Sequence, residues 1–387
     1  MDLYTLDSSF RKKDVIDEFV SAIWTERFLD AGDLVLSVDA TQENRTKLAE
    51  GTFVALVGTD QVMLIESQDV QNNILKVTGN TLDAFLNSRV VIDSSTLDNA
   101  EYAYTMTPGA LMEYLIDNFA AHGGPLGAPL GISNWGYQAI PWLFTGLVAA
   151  GTAQTFSVKR GPLFDAIKEI GNASKTGWKL VPINVTDASY TLDFSSYVGR
   201  NLCSDQSTYP LVRFSPSLDS LADVKELRSM AGYKTICWAI SPGFDAASSL
   251  AGGSQYTGQA LAYPGALYEN GFSRRSMLVE IRDITAANVG NSFATYKSVM
   301  DGYARDALAN NNYTKVVDGE VVPQSEFKYG VDYFLGDLLE LQDQYDFIQK
   351  ATVTEYIRTQ DASGYREYPT IAVANTAYKP SIPVGYR

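Results

Sequence analysis

The strongest structural signal in the sequence is a β-meander between Thr52 and Gly79. Three short apolar runs, TFVALV, QVMLIE and NILKVT, follow one another, and Gly58-Thr59-Asp60 separates the first two. Glycine and aspartate tolerate the turn conformations that other residues avoid. Because apolar side chains occupy both faces of these runs, the pattern predicts strands buried on both sides, as in a small barrel.

The preceding stretch, residues 15–29, fits two structures. Its apolar side chains match a helical stripe, but residues 19–28 also match a long strand that turns at Gly32-Asp33 into Leu34–Val38. Periodicity alone does not separate a short buried helix from a strand. We favour the strand, because Gly32-Asp33 lies where a hairpin turn would be.

The middle of the chain has a different pattern. A polar loop near residue 95 is followed by Thr107-Pro108, an N-cap and a first helical residue, and a second helix follows Gly161-Pro162 and ends at Gly171. Two strands, Trp178–Val181 and Tyr190–Phe194, come next. These elements predict a separate α+β unit.

The rest of the chain returns to mixed β-structure. We expect a helix near Ser220–Met230, a flexible Gly/Ser-rich loop at 248–258, and a helix over Ser292–Ala309 with one apolar stripe. Strands and turns follow from Tyr329 to Val373. The predicted domains are therefore 1–95, 96–205, 206–375, and an extended tail at 376–387.

Composition excludes several functions. The 387 residues contain 45 acidic and 30 basic side chains, a net charge of −15. Gripping a nucleic-acid backbone requires clustered lysine and arginine, so this acidity argues against it, although it suits a conduit that repels passing DNA. The 23 Tyr, 17 Phe and 5 Trp supply β-structure and protein interfaces.

Sites for catalysis or cofactors are not indicated. The single histidine, His122, lies at a predicted helix end, where a cation suits the helix dipole, and no GxSxG, GxGxxG or GxxxxGK[ST] motif is present. Cys203 and Cys237 have no metal-site spacing, so we expect buried free thiols. We predict no catalytic residues, no metal and no cofactor. A cell-wall or polysaccharide-cleaving enzyme stays an alternative, because acidic pairs are too numerous to be informative.

No leader or membrane-spanning segment is evident at the start of the chain, so we expect synthesis in the cytoplasm. One basic cluster is notable in so acidic a chain: Arg274-Arg275, followed by Arg282-Asp283. It fits a solvated strand with an Arg–Asp pair, or an inter-subunit contact in which arginines meet acidic surface. The spacing does not distinguish these two interpretations.

Four groups of segments carry a further signal. They are SAIWTERF (21–28) with AGDLVL, VMLIE, LKVTG and LNSRV; GRNL (199–202) with VRFSP, LRS and GYK; GFSRR (271–275) with VEIRD; and YGVDYFLGD (329–337). In this order they resemble the tail-tip (baseplate) hub family of long-tailed bacteriophages with non-contractile tails, the siphophages. The Gly/Ser-rich stretch at 248–258 departs from the family pattern.

The resemblance implies a mixed β-rich, α+β fold: two tail-tube-like β-barrels with an inserted α+β domain, the first barrel completed by later strands. It also implies a homotrimer at the virion tail tip that caps or extends the tail tube. The implied partners are the distal tail protein, the tape-measure protein, the tail tube and tail fibre or receptor-binding proteins, with DNA passing through without specific binding. A glycan-binding adhesin of the tail is a further alternative.

Overall fold

The computed structural model describes residues 1–91, 101–121, 140, 142–145, 150–186, 189–241, 258–263, 265–269, 271–281, 292–322 and 326–373. The chain divides into two compact units. The larger unit contains Met1–Ala222 and Glu320–Ala372, and the smaller unit contains Asp223–Gly319. The predicted domain boundaries at 95, 205 and 375 stay a prediction, and the predicted tail at 376–387 lies outside the described residues.

Residues 1–91 are mostly strand, as the sequence predicts. In chain order the elements are β1 (Leu3–Leu6), β2 (Lys12–Ile16), β3 (Ser21–Arg27), β4 (Asp33–Asp39), helix α1 (Gln42–Lys47), β5 (Phe53–Leu56), β6 (Val62–Gln71), β7 (Ile74–Thr81), a 3₁₀ helix (Leu82–Ser88) and β8 (Val90–Val91). The meander predicted from Thr52 to Gly79 is confirmed as β5, β6 and β7. Gly58 has φ +93° in its first turn, which explains the glycine there.

The middle of the chain alternates strands and helices. Its elements are β9 (Glu101–Met106), α2 (Pro108–Ile116), a π-helical turn (Asp117–Ala121), β10 (Leu143–Thr145), β11 (Gln154–Lys159), β12 (Gly161–Pro162), α3 (Leu163–Ser174), β13 (Thr176–Ile183) and β14 (Thr191–Val198). The Thr107 side chain accepts a hydrogen bond from Ala110 N, as the predicted N-cap requires. Helix α3 continues three residues beyond the predicted end at Gly171 and stops at Lys175, which has a left-handed backbone.

The remaining elements span both units. They are β15 (Arg213–Phe214), a 3₁₀ turn (Pro216–Leu218), β16 (Leu221–Ser229), β17 (Ile236–Ile240), β18 (Gly258–Leu261), 3₁₀ turns (Ala266–Tyr268 and Gly271–Ser273), β19 (Ser276–Glu280), α4 (Phe293–Ala309), β20 (Thr314–Val321), β21 (Leu338–Gln342), β22 (Ile348–Asp361) and β23 (Gly364–Val373). The predicted helix over Ser292–Ala309 is confirmed as α4, with Ser292 as its N-cap. Of the predicted loop at 248–258, residues 248–257 lie outside the described residues, and Gly258 is the first residue of strand β18 rather than part of a loop.

The helix predicted near Ser220–Met230 is wrong. This stretch forms β16, which pairs with β20, and Asp223 within it has φ +49°, a conformation that a helix does not contain. The residues have no Gly or Pro to oppose a helix, so the sequence pattern is ambiguous. Pairing with a strand about ninety residues later overrides the local propensity.

One eleven-stranded sheet dominates the larger unit. Its order is β15-β21-β22-β3-β4-β7-β6-β5-β1-β2, and β23 also pairs with β22. The strand interpretation of residues 19–28 is confirmed, since Trp24 in β3 lies opposite Leu34 in β4 and Arg358 in β22. The pairing of β22 with β3 joins a strand near the end of the described chain to a strand near its start.

The strand-rich α+β class is confirmed, but the described strands form no closed barrel. The large sheet is open, and β2 at one end pairs only with β1 among the described strands. Two features of the sheet edges disfavour pairing with a further strand. Strand β2 carries the exposed Lys12 and Lys13, and β23 contains Pro369, which lacks an N–H donor.

Two hydrophobic clusters among the described residues help to hold the larger unit together. The first comes from one face of the N-terminal strands and includes Leu3, Trp24, Leu36, Met63 and Val77. The second cluster combines the inserted helices and strands with the 3₁₀ helix that follows β7; its members include Leu86, Leu111, Leu115, Ile167, Trp178 and Phe194. The α+β segment therefore shares a core with the N-terminal sheet.

Both cysteines are buried free thiols, as expected. Burial raises the pKa of Cys203 to about 11. In the described part of the chain, no helix combines the length and apolarity needed to cross a membrane.

A buried aspartate in the second cluster makes stability depend on pH. Asp83 is 5% exposed and accepts a 2.8 Å hydrogen bond from Trp178 Nε1. Burial raises the pKa of Asp83 above its ordinary value of 3.8. A raised folded-state pKa contributes stability that is present below the unfolded pKa and is lost as pH rises through the folded pKa. We therefore expect Asp83→Asn to gain stability relative to the wild type with rising pH, until the difference levels off.

The measurement is urea unfolding of both proteins between about pH 4 and pH 8, the range above the ordinary aspartate pKa. Asp7→Asn is the control, because hydrogen bonds from Arg11 lower the pKa of Asp7, and the stability linked to a lowered pKa is already complete above the unfolded pKa. The difference in stability between this variant and the wild type should therefore stay nearly constant across this range. A constant difference between Asp83→Asn and the wild type at every pH would contradict the prediction.

Candidate functional site

Three of the four segment groups that carry the family resemblance meet in the larger unit. Glu26 and Phe28 come from the first group, Gly199 and Arg200 from the second, and the loop 329–337 from the fourth. Residues from all three groups line a cavity of about 630 Å³, whose lining includes Glu26, Tyr197, Arg200, Tyr329, Asp337 and Arg358. We call these contacting segments the junction.

A buried ion pair forms one side of the junction. The guanidinium of Arg358 in β22 donates through Nη1 to Glu26 Oε1 in β3, and the two residues are 8% and 4% exposed. Tyr329 Oη donates to the other carboxylate oxygen of Glu26 at 3.2 Å. Burial alone would lower the pKa of Arg358, but the charge of Glu26 and its hydrogen bond outweigh burial and raise it. Arg358 is therefore held as a cation.

Aromatic rings enclose this ion pair. The rings of Tyr329 and Tyr356 stack with centroids 3.8 Å apart and an interplanar angle of 12°. The Arg358 guanidinium lies 4.8 Å from the Tyr356 ring centroid, which adds a cation–π contact. Burial, reinforced by the negative charge of Glu26, raises the pKa of Tyr329, so this phenol stays a neutral donor.

A second ion pair clamps the loop 329–337. Asp337 is 2% exposed, and its carboxylate accepts bonds from Arg200 Nη2 at 2.6 Å, Arg200 N at 2.7 Å and Phe334 N at 2.9 Å. Arg200 also donates to the carbonyl of Asp332 at 3.1 Å. Because one carboxylate bonds both segments, it ties the end of β14 to the start of β21.

A close backbone approach lies next to this clamp. A Cβ on Gly199 would lie 1.8 Å from the carbonyl oxygen of Gly336, which is far too close for two non-bonded atoms. Gly336 has φ +87°, and a Cβ there would lie 2.4 Å from the ring of Phe28. Both positions therefore require glycine. This explains why the GRNL and YFLGD segments each contain one.

A third ion pair extends the junction to β15. Arg213 donates to Glu340 Oε2 through Nε at 2.8 Å and Nη2 at 2.6 Å, and Ser204 donates to Oε1 through its hydroxyl at 2.6 Å. Glu340 is 2% exposed. Burial would raise the pKa of Glu340, but the hydrogen bonds from Ser204 and Arg213 outweigh it and lower the pKa. This carboxylate is a charged anchor.

The arrangement holds distant segments in register. The buried carboxylates of Glu26, Asp337 and Glu340 each bond an arginine, and Lys179 pairs with Asp60 at the cavity. In the described residues, no group of three or more His, Cys, Asp or Glu side chains is placed to hold a metal ion. The chemistry of the junction is therefore charge pairing and hydrogen bonding between chain segments.

The arginines predicted at a subunit contact are elsewhere, in the smaller unit. Arg274 is exposed, and its Nη1 lies 3.4 Å from the carbonyl oxygen of Leu267. Arg275 is partly buried and donates through Nη1 to the carbonyl of Met230 at 2.7 Å. Arg282, like His122, lies outside the described residues. Their place at an interface stays a prediction.

The sequence interpretation missed the junction residues. A signal was present: Glu26, Glu340 and Arg358 each interrupt an otherwise strand-like stretch, and charged residues are almost never fully buried unless paired. That signal marks a buried ion pair but does not name the partner. In the case of Glu26 and Arg358 the partners are 332 residues apart.

The comparisons with known proteins agree with this architecture. The sequence profile of the siphovirus ReqiPepy6 Gp37-like protein family matches residues 2–371. The chain belongs to this family. Because the match spans residues 2–371, both units and the junction lie within the matched region. Among curated protein sequences, none matches the chain.

Two solved structures that are similar to this chain are tail proteins. The 43 kDa tail protein of prophage MuSo2 from Shewanella oneidensis has 10% identity and a TM-score of 0.52, with 97% of this chain and 98% of that chain covered. A tail protein from Neisseria meningitidis MC58 has 11% identity and a TM-score of 0.51, with 97% of each chain covered. At such low identity the likeness shows the fold. The Gp37-like chain thus shares its fold with prophage tail proteins.

Proposed function

We propose that this chain is a structural virion protein, the trimeric hub at the tip of a siphophage tail. The observation that supports it best is the fold shared with the Shewanella prophage tail protein over 97% of this chain and 98% of that one. Membership of a siphovirus family over residues 2–371 points the same way. The hub caps or extends the tail tube and acts by assembly.

The junction suits this role. A hub carries load between a tube and its distal proteins, so the segments that form its sheet need to stay in register. Three buried or half-buried arginine–carboxylate pairs fasten β3, β14, β15, β21 and β22 to one another. Breaking such pairs is costly once they are buried, which makes the assembled sheet resistant to local opening.

The charge suits a conduit. The net charge of −15 repels a DNA backbone that passes through without specific binding. We propose the distal tail protein, the tape-measure protein, the tail tube and a fibre or receptor-binding protein as partners. The chain would be made in the host cytoplasm and incorporated into the virion.

Trimer formation is directly measurable. We expect the purified full-length chain to have three times the 42.3 kDa mass of one copy in light scattering coupled to size exclusion. Antibody labelling of intact virions should place the chain at the tail tip in electron micrographs. A monomer at high concentration, alone and with tail partners, or label along the tube or on the head, would reject the hub.

A further inference from the structure

The smaller unit contains a three-stranded sheet of order β18-β17-β19, and one face of this sheet is packed against a helix. Helix α4 covers the face that carries Cys237 and Ala239 of β17 and Ala260 of β18, through Tyr296, Met300 and further residues of its buried side. Side chains alternate along a strand, so the residues between these point away from α4. They form a second face of the same three strands.

This second face is mixed: Ile236 is buried and Ser276 and Glu280 are polar, but part of the face is apolar and exposed. Trp238 in β17 lies opposite Leu278 in β19 and Gln259 in β18, and Leu261 is two residues beyond Gln259. Leu278 is 57% exposed and Leu261 is 36% exposed, while Trp238 is partly exposed. We call Trp238, Leu261 and Leu278 the open face. Adjacent apolar side chains left in water mark an interaction surface.

A cation lies at the rim of the open face. Arg274 precedes Ser276 by two residues, and Ser276 and Leu278 share the side of β19 away from α4. Its guanidinium contacts the carbonyl of Leu267, in the turn where Tyr268 is 83% exposed. Arg275 instead bonds the Met230 carbonyl within its own unit. An apolar centre with an arginine and a tyrosine nearby is the usual composition of a protein interface.

Charge distribution identifies the partner. Residues 223–319 of the smaller unit contain nine acidic and nine basic side chains, whereas the larger unit, Met1–Ala222 and Glu320–Ala372, has a net charge of −17. Two larger units repel each other, whereas a neutral unit with an exposed Arg274 does not repel an acidic one. The free edges of the large sheet carry Lys12, Lys13 and Pro369, which disfavours association by strand pairing.

We propose that the open face of one copy contacts the larger, acidic unit of a second copy of this chain, with Trp238 and Leu278 at the centre and Arg274 at the rim. Such a contact joins different surfaces of the two copies, and a head-to-tail contact of this kind closes into a ring when the rotation allows it. The proposal rests on the proposed trimer and assigns its subunit contact.

The test is the self-association of full-length variants, measured by analytical ultracentrifugation over a concentration series. We expect Leu278→Glu to raise the dissociation constant roughly tenfold or more, because it places a carboxylate against an acidic surface. Tyr303→Glu is the matched control: Tyr303 is 43% exposed on α4 and outside the helix side that packs on the sheet, so it should associate as the wild type does.

The outcomes separate this proposal from the hub itself. A wild type that stays monomeric rejects the trimer and with it this contact. A trimeric wild type with an equally trimeric Leu278→Glu overturns the contact and leaves the hub standing. Weaker association of both Leu278→Glu and Tyr303→Glu also overturns it, since the effect would then not be specific to the open face.

A second variant keeps the proposal testable if Leu278→Glu fails to fold. Arg274→Glu changes an exposed side chain, so circular dichroism and thermal melting should match the wild type. We expect it to weaken association, and we expect added salt to reduce its difference from the wild type because salt screens exposed charges. If Arg274→Glu folds and associates as the wild type does, Arg274 does not lie at the rim of the subunit contact.

Discussion

A Gly199→Ala variant is expected to lose the native structure of the larger unit. The added methyl group would lie 1.8 Å from the carbonyl oxygen of Gly336 and 2.7 Å from the amide nitrogen of Asp337. These are backbone atoms, held by the Asp337 clamp and by the bond from Gly336 N to the Val353 carbonyl, so they cannot rotate away as a side chain does. We expect a loss of about 4 kcal/mol or more, the range of exceptional substitutions.

Urea unfolding monitored by tryptophan fluorescence measures this loss, and soluble yield provides a second reading. Gly232→Ala is the control, because a Cβ at Gly232 meets nothing within 4 Å. Its stability should stay within about 0.5 kcal/mol of the wild type, as for ordinary surface changes. If Gly199→Ala unfolds at the wild-type urea concentration, the close approach to Gly336 does not exist in solution.

An Arg358→Met variant is expected to lose about 3–5 kcal/mol, since it leaves the Glu26 carboxylate buried without its cation. The methionine retains the apolar contact with the Tyr356 ring but supplies no donor. The double variant Glu26→Gln/Arg358→Met should regain most of the loss, because it buries no charge. Replacing a whole buried pair by neutral groups is often close to neutral for stability.

A double-mutant cycle of the free energies of unfolding measures this coupling. Lys168→Met is the matched control: Lys168 pairs with Asp30 at 2.5 Å, and both side chains are exposed. Exposed pairs contribute about 0–1 kcal/mol, so that variant should melt close to the wild type. Equal losses in Arg358→Met and in the double variant would show that the lost packing of Arg358, rather than the unpaired charge of Glu26, is responsible.

The sequence predicted those elements that depend on residues close together along the chain. The cap at Thr107, the helix over Ser292–Ala309, the turn at Gly58 and the strands β5 to β7 depend on residues that are close in sequence, and each is confirmed. The stretch Ser220–Met230 was not predictable in this way, because its partner β20 begins at Thr314. Helix and strand differ little in local propensity there, and the long-range pairing decides.

The sequence indicated some residues of the junction but not how they pair. Its segments stood out as family-like sequence, and Glu26 and Arg358 stood out as charges within strand-like stretches, but no pattern states which charge meets which. That choice depends on the register of β22 against β3, where Tyr356 lies opposite Glu26. A shift of one residue would turn each side chain to the other face.

By itself the sequence determined the strand-rich class, most element positions, the buried thiols and the family, since these depend on composition, short-range periodicity and ordered segments. The tertiary structure alone decided that the large sheet stays open, that the two ends of the described chain pair in it, and that three carboxylates meet three arginines. The physical reason is that such contacts join residues far apart along the chain. Their energy depends on distance and burial, which exist only once the chain has folded.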